Sequence, residues 1–168
     1  MDLTPTSIIV LGLLEFGAAT PYDLKTRVAG TVGSFWSVPH SALYAEPERL
    51  REAGLVDERR EEGGRRRRVF SLTAKGRRAL DEWRAEPAAG LPELRNAALL
   101  KLFFGADPAA VAASQLGAHR AKLAHYEAIK AFDDGRGPRG PFLALDAGLR
   151  HEREWIAYWE ALLDPPAG

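Results

Sequence analysis

Residues 41–73, SALYAEPERLREAGLVDERREEGGRRRRVFSLT, constrain the fold more tightly than any other stretch of the chain. A helix-compatible segment ending at Gly54 gives way at once to a short apolar start (Leu55, Val56), a charged arm, Gly63-Gly64, and a return through Val69, Phe70 and Leu72. Glycine reaches the positive φ of a tight turn without a Cβ clash, so a Gly-Gly pair between two such arms specifies a β-hairpin with strands of about five residues. A helix followed directly by a basic hairpin is the reading unit of a winged helix-turn-helix. In that unit one helix enters the DNA major groove and a charged wing lies beside it.

The 168 residues include 23 basic and 23 acidic side chains, so the overall charge argues for no particular partner. The distribution is more informative. Nine basic residues fall between Arg59 and Arg78 (Arg59, Arg60, Arg65, Arg66, Arg67, Arg68, Lys75, Arg77, Arg78) against two acidic ones, Glu61 and Glu62, an excess of seven. Such a block on a hairpin tip and the next helix start fits phosphate contacts. Taken alone, it fits a solvated surface arm equally well. A hydrophobic content of 46% supplies a core for one domain or two very small ones. The sequence has no cysteine, which removes disulfide frameworks and thiolate chemistry. The N-terminal apolar run is too short to span a bilayer and lacks the basic start of a signal peptide, so the expected location is cytoplasmic.

Along the chain, Thr4-Pro5 opens an apolar segment to Phe16 that reads as a helix with proline in its first turn; the β-branched Ile8, Ile9 and Val10 leave a strand open. Thr20-Pro21 starts a short second helix through Val28 that stops near Gly30. A loop with Gly33, Phe35 and Trp36 leads to Ser37 and Pro39, read as the cap and start of the third helix, with Gly54 as its C′ glycine. After the hairpin, Thr73 caps a helix through Trp83 to Glu86. The second half then breaks at Pro87 to Gly90, and continues as helices over Leu91–Phe104, from Asp107-Pro108 to about Phe132, and over Pro141–Leu163. Gly135 to Gly140 is its clearest loop. The expected fold is mainly α (α+β). Residues 1–86 form a winged helix-turn-helix with a two-stranded wing, and residues 87–168 form an antiparallel helical dimerisation arm that could also sense an effector.

The segments LGLLEFGAATPYDLKTRV, FWSVPHSALYAEPERLREAGLV and RVFSLTAKGRRALDEW together resemble the PadR family of transcriptional regulators. The combination of an apolar first helix, Tyr-x-Leu, aromatic-Trp, Leu-Tyr, Gly-Leu-Val and Leu-Thr-x-x-Gly carries the resemblance, which is close over roughly the first half of the chain. It implies homodimeric DNA-binding repressors, less often activators, whose C-terminal helices pair the subunits. In some members an equivalent cavity binds aromatic or drug-like ligands. One departure stands out. The family follows its Tyr with Pro and places Leu two residues later, whereas here Tyr44 is followed by Ala45 and Glu46, with Pro47 at the Leu position. Proline inside a helix costs about 3 kcal/mol. Either the helix kinks between Leu43 and Pro47, or the proline ring takes the leucine's place in the core.

The N-terminal part of a recognition helix reaches base edges, which makes Ser37, His40, Ser41 and Tyr44 the candidate DNA contacts and turns Leu43 and Leu50 to the core. None of the four is a bidentate base reader, so phosphate contacts and DNA shape should supply most of the affinity. Arg59 and the run Arg65, Arg66, Arg67, Arg68 are the wing candidates. Strand side chains alternate, so Arg66 and Arg68 should face opposite to Arg65 and Arg67, one pair toward DNA and the other toward Glu61 or Glu62. Lys25 and Arg27 on the second helix are either backbone contacts or plain surface charges.

In the last helix, Phe142, Leu145, Leu149, Ile156, Trp159 and Leu163 fall on one stripe, widened by Trp155 and Leu162, for which a partner subunit is the expected cover. Aromatic residues on a wide stripe are most often core; the functional reading is an effector pocket formed by His119, Tyr126, Trp155 and Tyr158. His119 lies on the apolar face between Leu116 and Leu123, where a hydrogen-bonded core or interface histidine is the default. His119 and His125 are about 240° apart around a helix and cannot share a metal. His151 and Glu154 read as a surface pair. There is no phosphate-cradling glycine loop, nucleophile elbow or His-Glu-x-x-His, so no enzyme activity, cofactor or metal is expected.

The function expected from these residues is sequence-specific binding to operator DNA by a homodimeric repressor, released by a small aromatic effector. The alternative is a winged-helix protein-interaction module whose basic block meets an acidic partner, without effector sensing.

Overall fold

The computed structural model describes residues 2–61, 67–88, 90–91, 93–136 and 138–163. The chain divides into two compact units, Met1–Gly90 and Leu91–Gly168. The first unit thus includes Pro87 to Gly90, which the sequence reading gave to the second.

In the first unit, α1 spans Pro5–Glu15 and α2 spans Pro21–Ala29. Both start with the same device. Thr4 and Thr20 each accept from the backbone N–H three residues on, and Ser7 and Asp23 return the bond to the cap's own N–H, satisfying two amides that a helix start leaves free. This reciprocal capping, with proline in the first turn, resolves the helix-or-strand ambiguity of Ile8 to Val10 in favour of the helix. A 3-10 turn at Val32–Ser34 precedes α3, His40–Glu52. The residue that caps α3 is Pro39, without a side-chain hydrogen bond, and not Ser37, which stays in the loop. The helix runs unbroken through Pro47, whose ring is fully buried, so the ring fills the core position of the family's leucine. Gly54 follows with φ +71°, a value that favours glycine.

Strands β1, Val56–Arg60, and β2, Arg68–Leu72, pair antiparallel with Val56 opposite Leu72 and Arg60 opposite Arg68. The Gly63-Gly64 turn expected between them lies outside the described residues. Phe70 exchanges both backbone hydrogen bonds with Ala19, at 2.9 Å each, so the α1–α2 connection anchors the hairpin base. Thr73 then caps α4, Ala74–Ala85, accepting from the Gly76 N–H at 3.0 Å while its hydroxyl lies against the Gly54 and Leu55 carbonyls. A Cβ on Gly76 would sit 2.1 Å from the Leu55 carbonyl oxygen. That close approach is the physical basis of the Leu-Thr-x-x-Gly pattern. Val10, Leu11, Leu24, Leu43, Leu50 and Phe70 form the centre of the core.

The second unit contains α5, Ala97–Phe103, α6, Pro108–Lys130, and α7, Gly140–Leu163. Helix α5 begins well after Leu91 because Asn96 is its cap, accepting from the amides of Ala98 and Leu99. Of the loop expected from Gly135 to Gly140, residue 137 lies outside the described set. Helices α6 and α7 pack antiparallel, as His119–Glu152 and Lys130–Asp146 contacts show. This pairing corrects two residues of the expected dimer stripe. Leu149 and Trp159 are fully buried within the chain itself, Trp159 against Ala112 and Leu116, and so are unavailable to a partner. Ile156 packs against that same cluster, Phe142 and Leu145 are half-buried, and Leu163 is exposed. The helix hairpin thus takes Leu149 and Trp159 out of the stripe, while Phe142, Leu145, Ile156 and Leu163 keep accessible surface.

Candidate nucleic-acid interface

Helix α3 turns Leu43, Glu46, Pro47 and Leu50 inward, which leaves His40, Ser41 and Tyr44 exposed together on the other side, with Ser37 exposed just ahead of them. Their spacing of one and four residues puts the three helical side chains on one face. On the wing, Arg59, Arg60 and Arg67 are exposed. Arg65 and Arg66, with Glu62, lie outside the described residues. Lys25 is half-buried on α2.

Several basic residues are engaged internally. Arg27 donates to the carbonyls of Leu13 at 2.9 Å, Gly17 at 2.7 Å and Ala18 at 3.2 Å, closing the C-terminal end of α1. Lys75 donates to the Ala53 carbonyl at 2.8 Å and does the same for α3. Arg68 lies on the Phe70 face of β2 and forks onto Glu58, with Nε and Nη2 donating at 2.8 and 2.7 Å, and it also meets Glu48. Its carboxylate partners are therefore Glu58 and Glu48, not the expected Glu61 or Glu62. The expected alternation holds its physical logic: Arg68 shares a face with buried Phe70, while Arg67 is exposed.

Glu46 ties α3 to α1. Ser7 Oγ donates to Glu46 Oε1 at 2.6 Å, and Arg49 donates to both Glu46 carboxylate oxygens, at 2.5 and 3.0 Å, and to Ser7 Oγ at 2.6 Å. Burial alone would raise the Glu46 carboxyl, but the hydrogen bonds from Arg49 and Ser7 outweigh it and hold the group below the ordinary glutamate range. Sequence reasoning passed over this clamp. A lone serine on an otherwise apolar helix, with an i,i+3 Glu-Arg pair two helices later, was the available signal. On α2, Asp23 is likewise held low by the Thr20 backbone N–H and hydroxyl, aided by the charges of Arg27 and Arg67.

In the second unit the residues read as an effector pocket divide. His119, Trp155 and Tyr158 join a continuous aromatic ladder: the Trp155 ring stacks on His119 at 5.8 Å and on Trp159 at 5.6 Å, and meets Tyr158 edge-on at 5.7 Å. His119 Nδ1 lies 2.6 Å from the buried Glu152 carboxylate, and Lys122 Nζ lies 3.5 Å from the same carboxylate. Tyr126 is buried two turns along α6 from His119 and reaches this cluster through Lys122, whose ammonium lies 5.6 Å from its ring centroid. His151 accepts from the Trp155 indole N–H at 2.8 Å, so its described partner is Trp155 and not Glu154.

Residues 10–82 match the model of the transcriptional regulator PadR-like family. Over those residues the chain is similar to that family. Residues 94–164 match a second model, described as the virulence activator alpha C-terminal region. The negative transcriptional regulator PadR of Bacillus subtilis is 28% identical, aligned over 92% of this chain and 93% of its own. Its crystal structure with operator DNA aligns with a TM-score of 0.83 at 24% identity, covering 94% of this chain and 96% of that one. The same protein with p-coumaric acid aligns with a TM-score of 0.78 at 22% identity, covering 96% and 97%. These structural likenesses carry the fold. The matched residues, 10–82, are those of the winged helix, and among the described residues no helix is long and apolar enough to cross a membrane.

Proposed function

We propose that this PadR-like regulator binds operator DNA as a homodimeric repressor, with α3 in the major groove and the wing on the flanking backbone. The observation that carries the reading is the grouping of His40, Ser41 and Tyr44 on the exposed side of α3, next in the chain to a hairpin whose Arg59, Arg60 and Arg67 are exposed. Ser37, Lys25, Arg65 and Arg66 complete the proposed contact set. The operator complex of the Bacillus subtilis relative supports the same reading. So does chemistry: hydroxyl and imidazole side chains on the helix supply hydrogen bonds, while arginines on the wing supply the phosphate charge. A small aromatic acid is the proposed releasing ligand, in keeping with the p-coumaric acid complex of that relative, and His119, Tyr126, Trp155 and Tyr158 are its proposed reading group.

The test is a salt titration on duplex DNA selected by the wild-type protein from a random library. Replacing Arg65, Arg66 and Arg67 by Ala should weaken binding and flatten the log-log salt dependence by about 0.9 for each lost phosphate contact. An unchanged slope removes the wing from the interface.

A further inference from the structure

Arg60 and Arg68 stand directly opposite each other across the hairpin, an arrangement of like charges that destabilises a strand pair unless it is compensated. Glu58, on the same face, compensates both. It accepts the Arg68 fork and lies 3.4 Å from Arg60 Nε. The Arg68 guanidinium also sits 5.2 Å from the Phe70 ring centroid and meets Glu48, which belongs to α3. Arg51, one turn beyond Glu48, donates to Glu48 through Nε at 2.8 Å and comes within 3.6 Å of Glu58. Two carboxylates and two guanidiniums therefore link the recognition helix to the wing.

The location gives this link its purpose. A two-stranded hairpin is marginal by itself, so its direction depends on what holds it. Its base is fixed by Phe70, through the backbone bonds to Ala19 and a buried ring. Arg68 is the first residue of β2, at the end nearest the tip, and Glu48 is the contact it makes with α3 there. We infer that the Glu48–Arg68–Glu58 triad is a brace that sets the angle of the wing against the recognition helix, making Arg68 a positioning residue for operator recognition and not a phosphate contact. The inference rests on the DNA-binding reading above. An arginine suits the role because its planar fork holds Glu58 at two points and its charge sits over the Phe70 ring while an N–H reaches Glu48; a lysine offers a single point charge.

The experiment uses the full-length protein and the duplex that the wild type selects from a random library, with affinity measured across a salt series. Arg68→Ala should lower affinity for the selected duplex roughly fivefold or more at fixed salt, the scale of one partly exposed ion-pair network, while leaving the salt slope unchanged. Arg67→Ala, the comparison, should lower the slope by about 0.9. Arg68→Lys separates the readings again: a phosphate contact would be restored by the lysine charge, whereas a brace would stay impaired. Should Arg68→Ala fail to fold, Glu48→Gln asks the same question, because it leaves the Arg68–Glu58 fork intact; it should weaken selected-duplex binding without lowering the slope. A slope reduced by Arg68→Ala as much as by Arg67→Ala, or recovery with Arg68→Lys, overturns the brace. So does undiminished affinity in both Arg68→Ala and Glu48→Gln. A wild-type protein that selects no sequence at all defeats the DNA-binding reading itself, an outcome distinct from these.

Discussion

Residues Met1 to Gly90 close a core in which Leu11, Leu24, Leu43, Leu50 and Phe70 are almost wholly hidden, whereas Leu91 to Gly168 close a small one around Trp159 and leave Leu100, Phe103, Phe104, Phe132 and Leu143 mostly exposed. The reason is architectural. Four helices and a hairpin surround a common centre in the first unit, and two extra ties, the Ser7–Glu46–Arg49 clamp and the Ala19–Phe70 backbone pair, close its gaps. In the second unit a long helix pair buries one face of each helix against the other and, among the described residues, the short α5 is the one further helix. Apolar side chains on the remaining faces contact water in a single chain, which is a free-energy cost that a second copy can remove. The first unit also exposes Phe16, Tyr22, Phe35 and Trp83, so the contrast that suits the proposed division between reading DNA and pairing subunits is one of core size.

The comparison is most exposed to a change at Trp159. Trp159→Ala empties the centre of the smaller core and should cost about 3–5 kcal/mol. Hydrogen exchange should then show lost protection across α6 and α7 with α1 to α3 protected as before. Loss of protection in α1 as well would mean that the units unfold together. A charge on the exposed α5 face comes next. Phe103→Glu should weaken self-association by about 2 kcal/mol or more, read by sedimentation, with the melting of the first unit unaffected. Undiminished association would place the dimer contact on another face.

Within the first unit, Glu46→Gln breaks the clamp and should cost about 1–3 kcal/mol at neutral pH. The sign of its pH dependence follows from the low folded titration of this carboxyl. Its stabilisation is whole above the unfolded value, about 4.3, and is lost as pH falls through the folded one. The difference in Tm between wild type and variant should therefore persist through mildly acid pH and close in strong acid. A gap that stays constant would assign the effect to packing. The smallest change expected is from Pro47→Leu. It restores an amide donor to the Leu43 carbonyl, but the proline ring is already buried, so the gain should be only about 1 kcal/mol. A lower Tm would show the pocket to be shaped for proline.

Helix starts were legible because their determinants lie within three residues of each other. Thr4, Thr20, Thr73 and Asp107 cap where the sequence places them. The exception is instructive: Ser37 has the right chemistry and the wrong place, since Pro39 sets the backbone at the α3 start. The hairpin strands were equally legible from alternation and turn glycines. The fates of individual charges were not. Alternation separates Arg67 from Arg68, but nothing local says that Arg68 is the one engaged, forked onto Glu58 ten residues earlier and meeting Glu48 twenty residues earlier. Arg27 and Lys75 read as phosphate contacts or surface cations, yet each closes a helix end that only the fold brings near.

By itself, then, the sequence determined the order of helices, the hairpin, the winged-helix class and the family resemblance, because capping, periodicity and turn chemistry act over a few residues and repeat as recognisable patterns. Tertiary structure decided which apolar side chains are covered inside the chain and which stay exposed, and which arginines are engaged internally. Those outcomes depend on contacts between residues far apart in sequence, such as His119 with Glu152 and Ser7 with Glu46, whose partners no local pattern names.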